Sequence, residues 1–148
     1  MTSQNQLLNQ ISGVFVKAKS LIQENTDIKN VNTGETVRIM ACPYAILNLE
    51  PSPAKVVARN TFEVSLTFSV ICVIRETEPE NWLLDVIPQL CAVTEALMAD
   101  RSVGGTLQSL NFTGIAPSDV KVRAKTYYGG AVQFVGSMLY TPGGCLSE

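Results

Sequence analysis

The sequence contains no histidine. This absence excludes Ser-His and Cys-His nucleophilic pairs, zinc sites with histidine ligands and acid-base catalysis by imidazole. The glycine-rich phosphate-binding motifs and the G-x-S-x-G nucleophile motif are absent as well. The sequence therefore predicts a non-enzymatic protein without catalytic, cofactor-binding or metal-binding residues.

Charged residues are also few. They make up 16% of the 148 residues, and 11 basic against 13 acidic residues give a net charge of −2. Recognition of nucleic acid through its phosphates needs a basic surface, which this composition does not supply. The longest apolar run, Val70–Ile74, is too short to span a membrane, and the first ten residues lack the pattern of a signal peptide. We expect a soluble single-domain protein that stays in the cytoplasm where it is made.

The four cysteines form no C-x-x-C pair. Cys72 and Cys91 lie at positions whose spacing is typical of a strand core and a helix core, whereas Cys42 and Cys145 lie in less regular sequence. This usage favours reduced cysteines that act as small hydrophobic side chains.

The most regular stretch is Thr61–Arg75, TFEVSLTFSVICVIR. Its even positions are apolar and its odd positions are polar up to Ser69, which predicts a long β-strand with one buried face. From Val70 onward both faces are apolar, so that end of the strand should be covered on both sides. At about 3.3 Å per residue the strand would reach roughly 50 Å, more than the roughly 38 Å diameter of a domain this size. We therefore expect it to span or overhang the domain.

The rest of the chain predicts a single α+β domain over residues 1–148. Helices are expected at 3–25 and 78–99, the second either bent at Pro88 or restarted with Asp85 as its cap. Residues 30–35 read as a loop, and a hairpin together with the long strand occupies 37–75. Antiparallel strands fill 106–141 with a turn at Gly129-Gly130, and 142–148 form a loose tail. We expect an antiparallel or mixed sheet of about four to five strands, two main helices on one face and a protruding β-hairpin.

This order of elements resembles the tail terminator (tail completion) proteins of long-tailed bacteriophages. The resemblance rests on ARNTFEVSLTFSVICVIRE, on LLDVIPQLCAVTEALMADRSVGG with its Gly-Gly turn, and on AVQFVGSMLYT, and it covers the chain from about Ser3 to Thr141. It implies a hexameric ring in the virion, at the head-proximal end of the tail and assembled in the host cytoplasm. Its partners would be the tail tube protein and the head–tail connector or neck proteins, with DNA only as passing cargo and no membrane. Val103, Pro43 and Pro88 depart from the family pattern.

Two groups of residues are candidate contacts in such a ring. A hairpin that projects past its own core exposes backbone groups that need a partner chain, so the segment Tyr44–Asn60 is expected to reach a neighbouring subunit. Its candidate contact residues are Tyr44, Leu47, Leu49, Lys55, Val57 and Arg59.

The polar face of the long strand is the second group. Glu63, Ser65 and Thr67, with Ser69, offer hydroxyls and one carboxylate but no cation, which suits the lining of a channel for DNA. Alternation fits a solvated outer face equally well.

Two other functions remain open from the sequence. A tail tube or neck subunit of the same virion would also use long hairpins. A small cytosolic enzyme would have to rely on carboxylates such as Asp85, Asp100 or Asp119.

Overall fold

The structure, a computed structural model, describes residues 6–33, 44–74, 82–122 and 125–142, without the side chains of residues 6, 118–122 and 125–127. The first residues of both predicted helices, 3–5 and 78–81, lie outside the described residues, as do Cys42, Pro43, Cys145 and the tail 143–148. The described part contains two helices and six strands: α1 (Gln6–Asn25), β1 (Asn30–Thr33), β2 (Tyr44–Leu49), β3 (Ala54–Ala58), β4 (Thr61–Val73), α2 (Trp82–Met98), β5 (Ser109–Val122) and β6 (Lys125–Tyr140).

The strands form one mixed sheet in the order β1-β2-β4-β6-β5, with β3 beside β4. Only β1 and β2 pair in parallel, and all other pairs are antiparallel. The α+β class predicted from the sequence is confirmed, with a six-stranded sheet that is slightly larger than expected. None of the described helices is long and apolar enough to cross a membrane.

Strand β4 is the centre of the fold, as its alternating pattern predicts. Its even positions from Val64 to Cys72 are buried against both helices, which lie on one face of the sheet. Leu66, Phe68 and Leu90 belong to this one cluster, and Phe15 of α1 packs against it. At the far end of β4 the odd face is covered too, where Val73 packs with buried Tyr44 and Ile46. That expectation is also confirmed.

Two strands, β2 and β3, lie end to end along the same side of β4. β2 pairs with the second half of β4, from Phe68 to Val73, and β3 pairs with the first residues, from Thr61 to Val64. Between them Pro51 and Pro53 have no N–H to donate. The Ser52 hydroxyl fills this gap, because it accepts a hydrogen bond from the Thr67 amide (2.9 Å) and donates to the Glu50 carbonyl (2.9 Å).

The hairpin predicted over Tyr44–Asn60 therefore has a different geometry. The chain passes straight through Pro51–Pro53 and reverses at Arg59-Asn60, where Asn60 adopts a positive φ of 58°. This turn does not project, because β6 pairs with β4 as far as Phe62 and Tyr140. The overhang lies at the opposite end, where the β5–β6 pairing continues to Val122 and Lys125, beyond the last β4 pair at Val73 and Gly129.

The predicted Gly129-Gly130 turn is wrong. Both glycines lie inside β6 and are buried. A Cβ at Gly130 would lie 2.8 Å from the Ala116 carbonyl oxygen and 3.0 Å from a methyl group of Leu90, so the glycine serves close packing rather than chain reversal. Strand β5 continues through Pro117, because a strand at the edge of a sheet tolerates a residue without an N–H.

Helix α2 is continuous through Pro88, without a restart at Asp85. Proline removes the hydrogen bond to the carbonyl of Leu84, but Leu84 is 71% exposed, so water can hydrate that carbonyl. Cys91, predicted to lie in the core side of this helix, is exposed on α2. Cys72, predicted to lie in the core side of a strand, is buried. Burial raises the pKa of the Cys72 thiol to about 12, which keeps it protonated and unreactive.

A tight turn follows α2. The Asp100 carboxylate accepts hydrogen bonds from the Ser102 hydroxyl (2.7 Å) and from the amide of Gly104 (2.9 Å). Val103 is fully buried at a φ of 48°, a conformation that costs a β-branched residue about 1–2 kcal/mol. The hydrogen bonds around Asp100 and the buried Val103 side chain hold the chain in this strained form.

One short strand was missed by the sequence analysis. Asn30–Thr33, predicted as part of a loop, forms β1 and pairs with β2. Val31 is its one buried residue, at 4% exposure, which leaves too little periodicity to detect.

Candidate interaction surfaces

The most exposed apolar strand is β3. All five of its residues are exposed, and Val56 and Val57 are 66% and 47% accessible. Leu49, at the end of β2, adds a side chain that is 51% accessible. We call Leu49 together with Ala54–Ala58 the β3 edge. Among the described strands β3 pairs only with β4, so its outer side presents backbone N–H and C=O groups that a further strand can use.

The structure divides the six predicted contact residues into two sets. Tyr44 is 5% accessible and Leu47 is 1% accessible, and both lie in the interior of the domain. Their burial leaves no side-chain surface for a neighbour. The exposed residues are Leu49, Lys55, Val57 and Arg59.

Lys55 does not lie free on this edge. Its ammonium group is 3.5 Å from Glu63 Oε1, on the cross-strand partner residue in β4. With Lys55 74% exposed, this ion pair contributes at most about 1 kcal/mol to stability. Its main effect is to draw the lysine side chain over the sheet.

The predicted polar face lies on the side of the sheet opposite the helices. Glu63, Ser65 and Thr67 are each half-buried there, and Ser69 is only 5% accessible. Glu63 accepts a hydrogen bond from the Ser137 hydroxyl of β6 (2.9 Å). The face is thus a hydrogen-bonded polar strip rather than a row of free side chains.

A second carboxylate belongs to this strip. Glu50 Oε2 accepts a hydrogen bond from the Ser69 hydroxyl (2.9 Å). Glu50 was not predicted to belong to this strip, because it lies after β2 rather than within the alternating stretch. It is 19 residues from Ser69 in the chain, so no local pattern links the two residues.

The outer side of α2 is an apolar surface that periodicity alone did not separate from the core. Leu83, Leu84 and Ile87 are 45%, 71% and 40% accessible, and Cys91 is exposed on the same side. At 100° per residue all four lie within a sector of about 100°, which borders the side of the buried Val86 and Leu90. Such a surface is typical of protein contacts.

The three carboxylates considered for catalysis do not converge in the described structure. Asp85 and Asp100 lie near opposite ends of α2, roughly 20 Å apart along the helix axis at 1.5 Å per residue. The Asp100 pKa is lowered, first by the hydrogen bond from the Ser102 hydroxyl and then by that from the Gly104 amide. Asp119 lies on the β5–β6 overhang, in register with Tyr128.

No group of three or more histidine, cysteine, aspartate or glutamate side chains that could hold a metal ion occurs among the described residues. Comparison with protein-family models and with curated protein sequences finds no match for this chain.

Proposed function

We propose that this protein is a structural subunit of a bacteriophage tail, which forms a ring that ends tail-tube polymerisation and provides the docking surface for the head connector. The proposal starts from the resemblance of the sequence to tail terminator proteins. The α+β fold with both helices on one sheet face is compatible with that resemblance. The proposed role does not require a catalytic site.

The observation that carries the assembly part of the proposal is the β3 edge. An exposed apolar strand with an unpaired backbone side is a liability for a monomer, because it pairs with other chains. In the proposed ring the neighbouring subunit covers this edge through Leu49, Val56 and Val57. A heterologous contact of this kind generates a ring when the rotation between neighbours closes, which is what we propose here.

The polar strip is proposed to border the channel. It carries the carboxylates Glu50 and Glu63, and the one cation paired with it in the described structure is Lys55. A neutral to acidic lining binds phosphates weakly, so DNA would pass without being held. Ser65→Lys with Thr67→Lys should create salt-sensitive DNA binding in intact rings; unchanged DNA binding would remove this strip from the channel.

The place of the protein in the virion is tested by imaging. Gold-labelled antibody against this chain, applied to purified tails of the phage that encodes it, should label a single spot at the head-proximal end. Label along the whole tail would support a tube subunit instead. Absence of the chain from purified particles would refute a structural role in the virion.

The role of the β3 edge is tested by charge. Val56→Lys places an ammonium group on an exposed position of β3, where it opposes strand pairing without disturbing the core. We expect a folded subunit that no longer assembles. Leu8→Lys is the matched control, because Leu8 is 62% accessible on α1 and distant in sequence from this edge.

Normal rings from the Val56→Lys variant would contradict the assignment of this edge. Loss of rings in both variants would indicate a general charge effect rather than a contact at β3.

A further inference from the structure

The described sheet ends at β1 on one side and at β5 on the other, and β3 is a further edge segment beside β4. Strand β5 pairs only with β6 in the described sheet, so the side of β5 that faces away from β6 is an edge of the sheet. We call it the β5 edge. Arg101, just after α2, lies against the first residues of this strand.

Three hydrogen bonds show where the Arg101 side chain lies. Its Nε donates to the Leu110 carbonyl oxygen (2.9 Å), and its Nη2 donates to Asn111 Oδ1 and to Ser109 Oγ (3.4 Å). Leu110 is fully buried on the helix side, so the side chains of Ser109 and Asn111 project from the opposite side of the sheet.

The path of the guanidinium follows from this alternation. Arg101 starts from the helix layer and reaches two side chains on the other side of the strand. The inner side of β5 is occupied by β6. The guanidinium must therefore pass around the outer side of β5, where it engages the backbone carbonyl that an incoming strand would need.

The rest of the β5 edge is irregular. The pairing with β6 shifts register between Phe112 and Gly114, which marks a bulge, and Pro117 has no N–H to offer. Bulges, prolines and charged groups are features that keep edge strands from pairing with other chains.

We infer that Arg101 closes the β5 edge to the β3 edge of a second copy of this chain. Charge agrees with this partner, because the turn that adjoins the β3 edge carries exposed Arg59, which has the same sign as Arg101. With the β5 edge closed in this way, β3–β5 pairing cannot stack copies of the chain into an endless sheet. The inference concerns sheet-edge pairing in any setting, so it does not depend on a role in a phage tail.

The test compares Arg101→Ala with the wild type by size-exclusion chromatography with mass detection over a range of protein concentrations. In the variant the freed β5 edge should compete for the β3 edge, so species larger than the wild-type assembly should appear and grow with protein concentration. Adding Val56→Lys to Arg101→Ala should abolish these species. Lys29→Ala is the control, since Lys29 is an exposed cation between α1 and β1 that lies on neither the β3 edge nor the β5 edge.

Unchanged association of a folded Arg101→Ala variant would overturn the inference. So would new association that persists after Val56→Lys, because the partner would then not be the β3 edge. If Arg101→Ala does not fold, Arg101→Met, which keeps the aliphatic stem and removes every donor, is judged by the same two outcomes.

Discussion

Phe68 is the position where a single truncation should do most damage to the core. It is 0% accessible, its ring stacks on Phe134 with centroids 5.5 Å apart, and it meets the edge of Phe15 at 5.7 Å. These contacts join the centre of the sheet to α1. Phe68→Ala would therefore leave a cavity lined from both layers.

The expected magnitude follows from this environment. Truncation of a buried phenylalanine to alanine costs about 3–5 kcal/mol. Each aromatic contact adds about 0.5–1.5 kcal/mol beyond area burial, which places this site near the upper end, at about 4–5 kcal/mol. A domain has only about 5–15 kcal/mol of stability in total. The melting temperature should fall by about 8–20 °C, at about 2–4 °C per kcal/mol.

Urea unfolding followed by circular dichroism measures this loss directly, with an unchanged slope to show that the unfolded state is the same. Phe112→Ala is the matched control. Phe112 is 42% accessible and lies farther from Phe134, at 6.2 Å, so we expect a loss of about 1–2 kcal/mol. A loss below about 1 kcal/mol for Phe68→Ala, or a loss equal to that of the control, would refute the central position of Phe68 in the core.

Two further substitutions test the sheet and the turn after α2. Gly136→Ala should cost about 1–3 kcal/mol by urea unfolding, because its Cβ would clash with the buried Leu107 side chain. Gly114→Ala meets nothing within 4 Å and should be nearly neutral, so equal effects of the two substitutions would refute this packing. Asp100→Asn should lower the melting temperature at neutral pH. The asparagine side chain has one acceptor oxygen, whereas the two carboxylate oxygens of Asp100 accept separately from Ser102 and Gly104. The folded-state pKa is lowered, so the carboxylate stabilises the fold above the unfolded pKa of about 4, and the difference between variant and wild type should shrink as the pH falls through the lowered pKa. A difference that is constant with pH would contradict this role of Asp100.

The core of the fold could be predicted from the sequence because β4 carries a strict alternation. Burying one face of Thr61–Val73 places Leu66 and Phe68 inside, and helical spacing adds Phe15 and Leu90. These residues depend on local periodicity, which the chain displays openly. That these residues pack against one another follows from a fold with one sheet and two helices.

The pairing of strands was harder to predict. Nothing local shows that β2 and β3 lie in line along one strand, because the join depends on the Ser52 hydroxyl and the amide of Thr67, far apart in the chain. The Gly129-Gly130 pair has the composition of a turn, yet its glycines serve close packing against Ala116 and Leu90. Sequence alone shows that a side chain is missing at such positions, but not which neighbour needs the space.

The interaction surfaces were predicted in part. Leu49, Lys55, Val57 and Arg59 are exposed, while Tyr44 was placed on the surface but is buried. Leu47 was misplaced in the same way. Strand β2 is buried from Tyr44 to Leu47, where it pairs with β1 and packs in the cluster of Tyr44, Ile46 and Val73, but it is exposed at Leu49. The exposed side of α2 was missed because the helix is apolar on most sides.

The most direct test of the account is the native mass of the purified protein, measured with and without the Val56→Lys substitution. The account predicts a closed assembly for the wild type, near six times the subunit mass of 16.0 kDa, seen as rings by electron microscopy, and a monomer for the variant. A wild-type protein that stays monomeric at high concentration, or that forms open-ended tubes, would contradict it.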